Sequence, residues 1–124
     1  IVAAAGIYAL DHHVERLADD HANARRLAEG LVAAGMPVDP AQVETNFVLV
    51  DAGALGLGAD EAVARLRAEG MLLSFAARKD VLRAVTHLDV SAEDVEGAIE
   101  RIPRALTGAP TPAADLADTA PTPY

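Results

Sequence analysis

The chain has 124 residues, 52% of them hydrophobic but only 3% aromatic, with 19 acidic against 10 basic side chains and no cysteine. That length suits one domain with an aliphatic core. The formal charge of −9 argues against a nucleic-acid or anionic-membrane partner, since both require a basic footprint, and the missing cysteines exclude disulfides, thiolate metal sites and a cysteine nucleophile.

The first ten residues, IVAAAGIYAL, look superficially like the apolar part of a secretory signal. They lack a basic flank and an initiator methionine, and the run is too short to span a bilayer. A start on Ile1 inside an apolar stretch reads as a fragment of a longer polypeptide, and the expected compartment is the cytoplasm. Helical periodicity follows over residues 2–34. Leu10, Val14, Leu17, His21, Ala24, Ala28 and Leu31 recur at spacings of four and three, which predicts one apolar seam with a histidine in its middle. Asp11-His12-His13 can divide the segment into two helices, and Gly35 is placed to stop it.

Residues 36–44 hold Pro37 and Pro40 and form a loop. Residues 46–50, NFVLV, form a strand ending at Asp51. It is apolar on both faces and so calls for cover on both. Gly53, Gly56 and Gly58 make a loop without the G-x-G-x-x-G spacing, and carry no phosphate role. Residues 60–69 form a second helix with Val63 and Leu66 inward and Gly70 as its stop. Residues 71–75, MLLSF, form a second strand, and residues 76–81 a turn holding Lys79, the only lysine of the chain. A Schiff-base lysine must be desolvated or have a lowered pKa; between Arg78 and Asp80, Lys79 is expected to be solvated.

Residues 82–87 form the third strand. Leu82, Ala84 and Thr86 face one way, and Arg83, Val85 and His87 the other. Ser91 and Asp94 spell a capping box that starts the last helix, residues 92–106, with Val95, Ala98, Ile99 and Ile102 on one face. Pro103 is expected to bend or end it. Residues 107–124 carry Pro110, Pro112, Pro121 and Pro123 among Ala, Thr and Asp, and read as a disordered tail. The order of elements gives an α/β layer over residues 1–106: a three-stranded, mostly antiparallel sheet with helices on one face. The other face is left for a further domain.

His12, His13 and His21 lack the spacing of a metal site, and His21 on the seam is read as a core or interface histidine. Arg83 is the residue that calls for a partner. An arginine among apolar strand neighbours is costly to bury alone, and no acid lies within four positions on its own strand face. A structural Asp or Glu on another segment is the simpler partner. A ligand carboxylate, matched to the planar guanidinium fork, is the other.

Four runs, AAAGIYAL, VERLADDHANARRLAEGL, VETNFVLVD and LRAVTHLDVS, resemble in order and spacing the C-terminal part of low-specificity threonine aldolases. These are lyases of the aspartate-aminotransferase-like, fold-type-I class that use pyridoxal 5'-phosphate to stabilise a carbanion. The resemblance covers residues 1 to about 106. It implies a small C-terminal domain with its leading interdomain helix, packed on an N-terminal pyridoxal-phosphate domain that holds the cofactor and its lysine. It implies an amino-acid substrate, threonine or a related β-hydroxy-α-amino acid cleaved to glycine and an aldehyde, and a homo-oligomeric enzyme. Arg83, just before V-T-H, would bind the substrate α-carboxylate, and Thr45-Asn46 matches a structural T-N element. No catalytic, cofactor-binding or metal-binding residue is expected in this chain, which would be inactive alone. Pro103 and the tail depart from the family pattern. The alternatives are a transaminase or racemase of the same fold, against which V-T-H speaks, and a non-catalytic helical dimerisation module.

Overall fold

In the computed structural model the described residues are 1–108. Of the tail expected at residues 107–124, Thr107 and Gly108 are described and instead form the last residue and C-cap of the final helix, and residues 109–124 lie outside the described residues. Helix α1 spans Val2–His12 and α2 spans Leu17–Ala33, divided where the Asp11-His12-His13 cluster predicts a break. Strand β1 is Phe47–Asp51, followed by a 3-10 turn, Ala52–Leu55, and helix α3, Ala59–Ala68. Strands β2, Ser74–Phe75, and β3, Val81–Val85, lead to helix α4, Ala92–Thr107. The sheet order is β1-β3-β2 and both pairings are antiparallel.

Alternation along the strands sorts the sheet into two faces. Val48 pairs with Ala84 and Val50 with Leu82, and all four are buried. On that side α2 packs against β1 and α4, and α3 against β3 and α4. Leu27, Leu31, Leu66, Val95 and Ile102 complete the core. The other face carries Phe47, Leu49, Arg83 and Val85, none of them fully buried, and at its end Val81, which is buried. No helix of the described residues is long and apolar enough to cross a membrane.

Helices α2 and α3 end in the same way. Gly35 and Gly70 adopt left-handed φ values of 78° and 74°. The amides of Met36 and Met71 then donate to the carbonyls of Leu31 and Leu66, each at 2.9 Å. Both methionines are buried, so each glycine–methionine pair closes a Schellman cap with its apolar contact. Helix α4 starts with the full capping box: Ser91 Oγ accepts from the Asp94 amide at 3.1 Å, and Asp94 Oδ2 accepts from the Ser91 amide at 2.9 Å.

Three expectations are corrected. The seam is not continuous: Leu10, Val14 and Leu17 are 70%, 51% and 45% exposed, and His21 is exposed as well. The break at residues 13–16 interrupts the helix, and the stripe runs off the packed region before α2 reaches Ala24. His21 is therefore not a core histidine of this chain. Met71, Leu72 and Leu73 do not join a strand, because the Met71 amide is spent on the α3 cap and pairing begins only at Ser74. Pro103 does not end α4, which runs on to Thr107. A proline removes one backbone donor and crowds the preceding turn, but Ile102, Ala105 and Leu106 are all buried and hold the helix on the core.

Candidate functional site

The central strand places Arg83 in the middle of the open sheet face. Its direct neighbours across the ladder are Leu49 on β1 and Ser74 on β2. The guanidinium Nε donates to Ser74 Oγ at 3.3 Å, and its Cζ lies 5.2 Å from the centroid of the Phe47 ring. Both partners are neutral. No carboxylate among the described residues comes within 4.0 Å of Arg83.

Other arginines show what a pairing arginine looks like in this protein. Arg16 grips both oxygens of buried Asp20, and Arg65 pairs with Glu61 at 2.6 Å while donating to the Gly108 carbonyl. Arg26 and Arg104 pair with Glu96 and Glu69, whose hydrogen bonds and charge raise both guanidinium pKa values further. Arg16 closes the first turn of α2, and the other three tie α2 or α3 to α4 or its C-cap. Arg83 ties strand to strand through a hydroxyl and a ring.

The strand that carries Arg83 is fixed at its far end. Asn46 Nδ2 donates to the Thr86 carbonyl at 2.7 Å, and the Thr86 amide returns a bond to the Asn46 carbonyl at 3.0 Å. Thr86 Oγ1 donates to the Asp20 carbonyl at 2.7 Å, tying the sheet to the start of α2. The T-N and V-T-H words thus meet in one clasp, three residues beyond Arg83 in the sequence. Along the same face a groove of about 240 Å3 is lined by Pro37, Val38, Leu49, Asp51, Arg78 and Val81, with Arg78 and Asp51 3.8 Å apart.

The remaining candidates are not drawn into this site. Lys79 is exposed in its turn beside Arg78, as the sequence suggests. His12 stacks on Tyr8 with ring centroids 4.0 Å apart, and its Nδ1 lies 2.8 Å from the Tyr8 carbonyl. Among the described residues no group of three His, Cys, Asp or Glu side chains is placed to hold a metal ion. Ser74 and Phe47 were not legible as partners of Arg83. The signal that could find them is the antiparallel register, which sequence alternation leaves undetermined by two-residue steps.

Comparison with known proteins adds a lineage to this geometry. The beta-eliminating lyase family matches residues 1–54. Over 98 residues, 77% of the chain, it is 41% identical to the low specificity L-threonine aldolase of Escherichia coli K12. It is 40% identical over the same length to the probable low-specificity L-threonine aldolase 2 of Arabidopsis thaliana. The aligned part makes up 26% and 27% of those two proteins, so the chain spans about a quarter of the length of the curated relatives it matches.

Proposed function

This chain is a relative of the low-specificity L-threonine aldolases, and on that premise we propose that it serves as the C-terminal small domain of an aldolase that cleaves threonine or a related β-hydroxy-α-amino acid to glycine and an aldehyde. One observation carries the reading. Arg83 stands on the central strand of an uncovered sheet face, held by two neutral groups, with no protein carboxylate within 4.0 Å among the described residues. A guanidinium so placed is matched to a planar anion, and the α-carboxylate of an amino acid is such an anion.

The residues described do not by themselves make a pyridoxal 5'-phosphate site. The only lysine, Lys79, sits exposed in a charged turn, whereas a lysine that bonds a carbonyl cofactor is held in a desolvated pocket. In this reading the cofactor is held by an N-terminal domain of the longer enzyme, and the chain alone is inactive. Arg83 fixes the amino-acid end of the substrate, so that the bond to be broken is presented in one orientation. The same reading gives α1 a purpose. None of its residues is buried, although Val2, Ile7, Tyr8 and Leu10 are large and apolar. It would pack on the cofactor-bearing domain or on another subunit of a homo-oligomer.

Kinetics of the longer enzyme test the role. Arg83→Lys keeps the charge and loses the fork. Losing a charge-assisted bond costs about 1.5–3 kcal/mol, so kcat/KM for threonine is expected to fall at least about tenfold, with the folded state unchanged. Unchanged kcat/KM per folded molecule would remove Arg83 from function.

A further inference from the structure

We infer that Ser74 and Phe47 are positioning residues that present the Arg83 guanidinium end-on to a carboxylate; this rests on the substrate reading of Arg83 above. An arginine fork can meet a carboxylate in two ways. It can offer Nε with one terminal nitrogen, or it can offer the two terminal nitrogens. The structure gives Nε a partner that the first way would have to displace. Nε already donates to Ser74 Oγ, leaving the two terminal nitrogens as the open edge.

The contact is set by the backbone. Ser74 lies directly opposite Arg83 in the β2–β3 register, so the two side chains leave the sheet on the same face. Phe47 lies opposite Val85, which makes it a diagonal neighbour of Arg83 on that face. Its ring lies under the guanidinium carbon, 5.2 Å from centroid to Cζ. A fork bonded at one edge and seated against a ring has part of its freedom restricted before any ligand arrives, which is how preorganisation raises affinity.

The chemistry of the two partners matters as much as their place. A carboxylate would orient the fork equally well, as Asp20 does for Arg16 with both oxygens. It would also neutralise the charge that an anionic ligand needs. A hydroxyl and an aromatic face orient the cation and leave its charge available, the ring through its quadrupole. β2 is only two residues long, and Ser74 is the residue of it that stands on the open face beside Arg83.

Nitrogen-15 NMR of the arginine side chains in the 124-residue chain tests this. Sodium acetate and glycine are the probes, with sodium chloride at equal ionic strength as the control. The expected result is that carboxylate shifts the terminal Nη signals of Arg83 and leaves its Nε signal in place. Ser74→Ala should speed exchange of the Nε proton with water and weaken acetate binding about fivefold, the equivalent of about 1 kcal/mol for one long, solvent-exposed hydrogen bond. Ser74→Thr, which keeps the hydroxyl, should restore both. Phe47→Leu keeps apolar bulk without the ring quadrupole, and should weaken acetate two- to fivefold, as expected for about 0.5–1 kcal/mol at an exposed site.

Shifts centred on Nε in the wild-type chain would overturn the end-on assignment and leave the substrate reading standing. Acetate binding and Nε exchange unchanged in Ser74→Ala and Phe47→Leu would overturn the positioning roles alone. An Arg83 that ignores both carboxylates, with Nε still held by Ser74, would overturn this inference, while the substrate reading stands or falls with the kinetics of Arg83→Lys in the longer enzyme.

Discussion

The two faces of one sheet, built from alternate residues of the same strands, have opposite fates in this protein. Val48, Val50, Leu82 and Ala84 are between 0% and 8% exposed, under three helices. Their immediate neighbours Phe47, Leu49, Arg83 and Val85 look outward, although three of the four are apolar. The closed face explains why the chain folds. The open face is more apolar than folding requires, and it carries the arginine whose partners are both neutral. A surface of this kind marks contact with something else, protein or ligand.

The sharpest way to break the comparison is to make the same change on both faces. Leu82→Ala on the closed face removes a fully buried side chain and is expected to cost about 2–5 kcal/mol. Leu49→Ala, on the open face opposite Arg83, is expected to cost under about 1 kcal/mol, since much less area is withdrawn from water in the first place. Denaturant unfolding of the two variants gives both numbers. Equal losses would mean that the faces do not differ as described.

The packing behind the closed face sharpens it further. Gly30 of α2 lies against Ile99 of α4 with no room for a Cβ. Gly30→Val is expected to destabilise by about 1–3 kcal/mol through overpacking, despite the better helix propensity of valine. Thermal melting checks this. A stabilised variant would show that α2 and α4 can separate at little cost.

The smallest effect is at the entrance to α4. Ser91→Ala removes the N-cap oxygen and is expected to cost about 1 kcal/mol. The hydrogen bonds from the Ser91 side chain and backbone hold the Asp94 carboxyl below its usual range. Its stabilisation is therefore complete above the unfolded carboxylate pKa of about 3.9 and lost as pH falls through the lowered folded value. As pH falls below about 4, the melting curves of wild type and Ser91→Ala should draw closer, keeping the gap left by the bond from the Asp94 amide to Ser91 Oγ, which does not titrate. Parallel curves down to the lowest pH would separate Asp94 from the cap.

These contrasts also show what the sequence makes legible. Local rules carry well: the capping box at Ser91 and Asp94, the stops at Gly35 and Gly70, and the alternation around Arg83 all follow from the chemistry of a few adjacent residues. The failures share one cause, which is competition with tertiary structure. Met71 has strand chemistry, but its amide closes the α3 cap. Pro103 is a helix breaker, but the buried residues on either side of it keep α4 on the core. His21 belongs to a periodic stripe, but the stripe outruns the surface it could pack on. The candidate site was half legible. Arg83 stands out as an arginine in need of a partner, while Ser74 and Phe47 depend on a register that periodicity alone does not fix.

The central claim is that Arg83 is kept for a ligand and not for the fold. Comparing the unfolding free energy of Arg83→Ala with that of the wild-type chain tests it most directly. A surface side chain with neutral partners is expected to cost about 0.5 kcal/mol or less when removed. A loss of about 3–5 kcal/mol, the mark of a broken buried ion pair, would contradict the account.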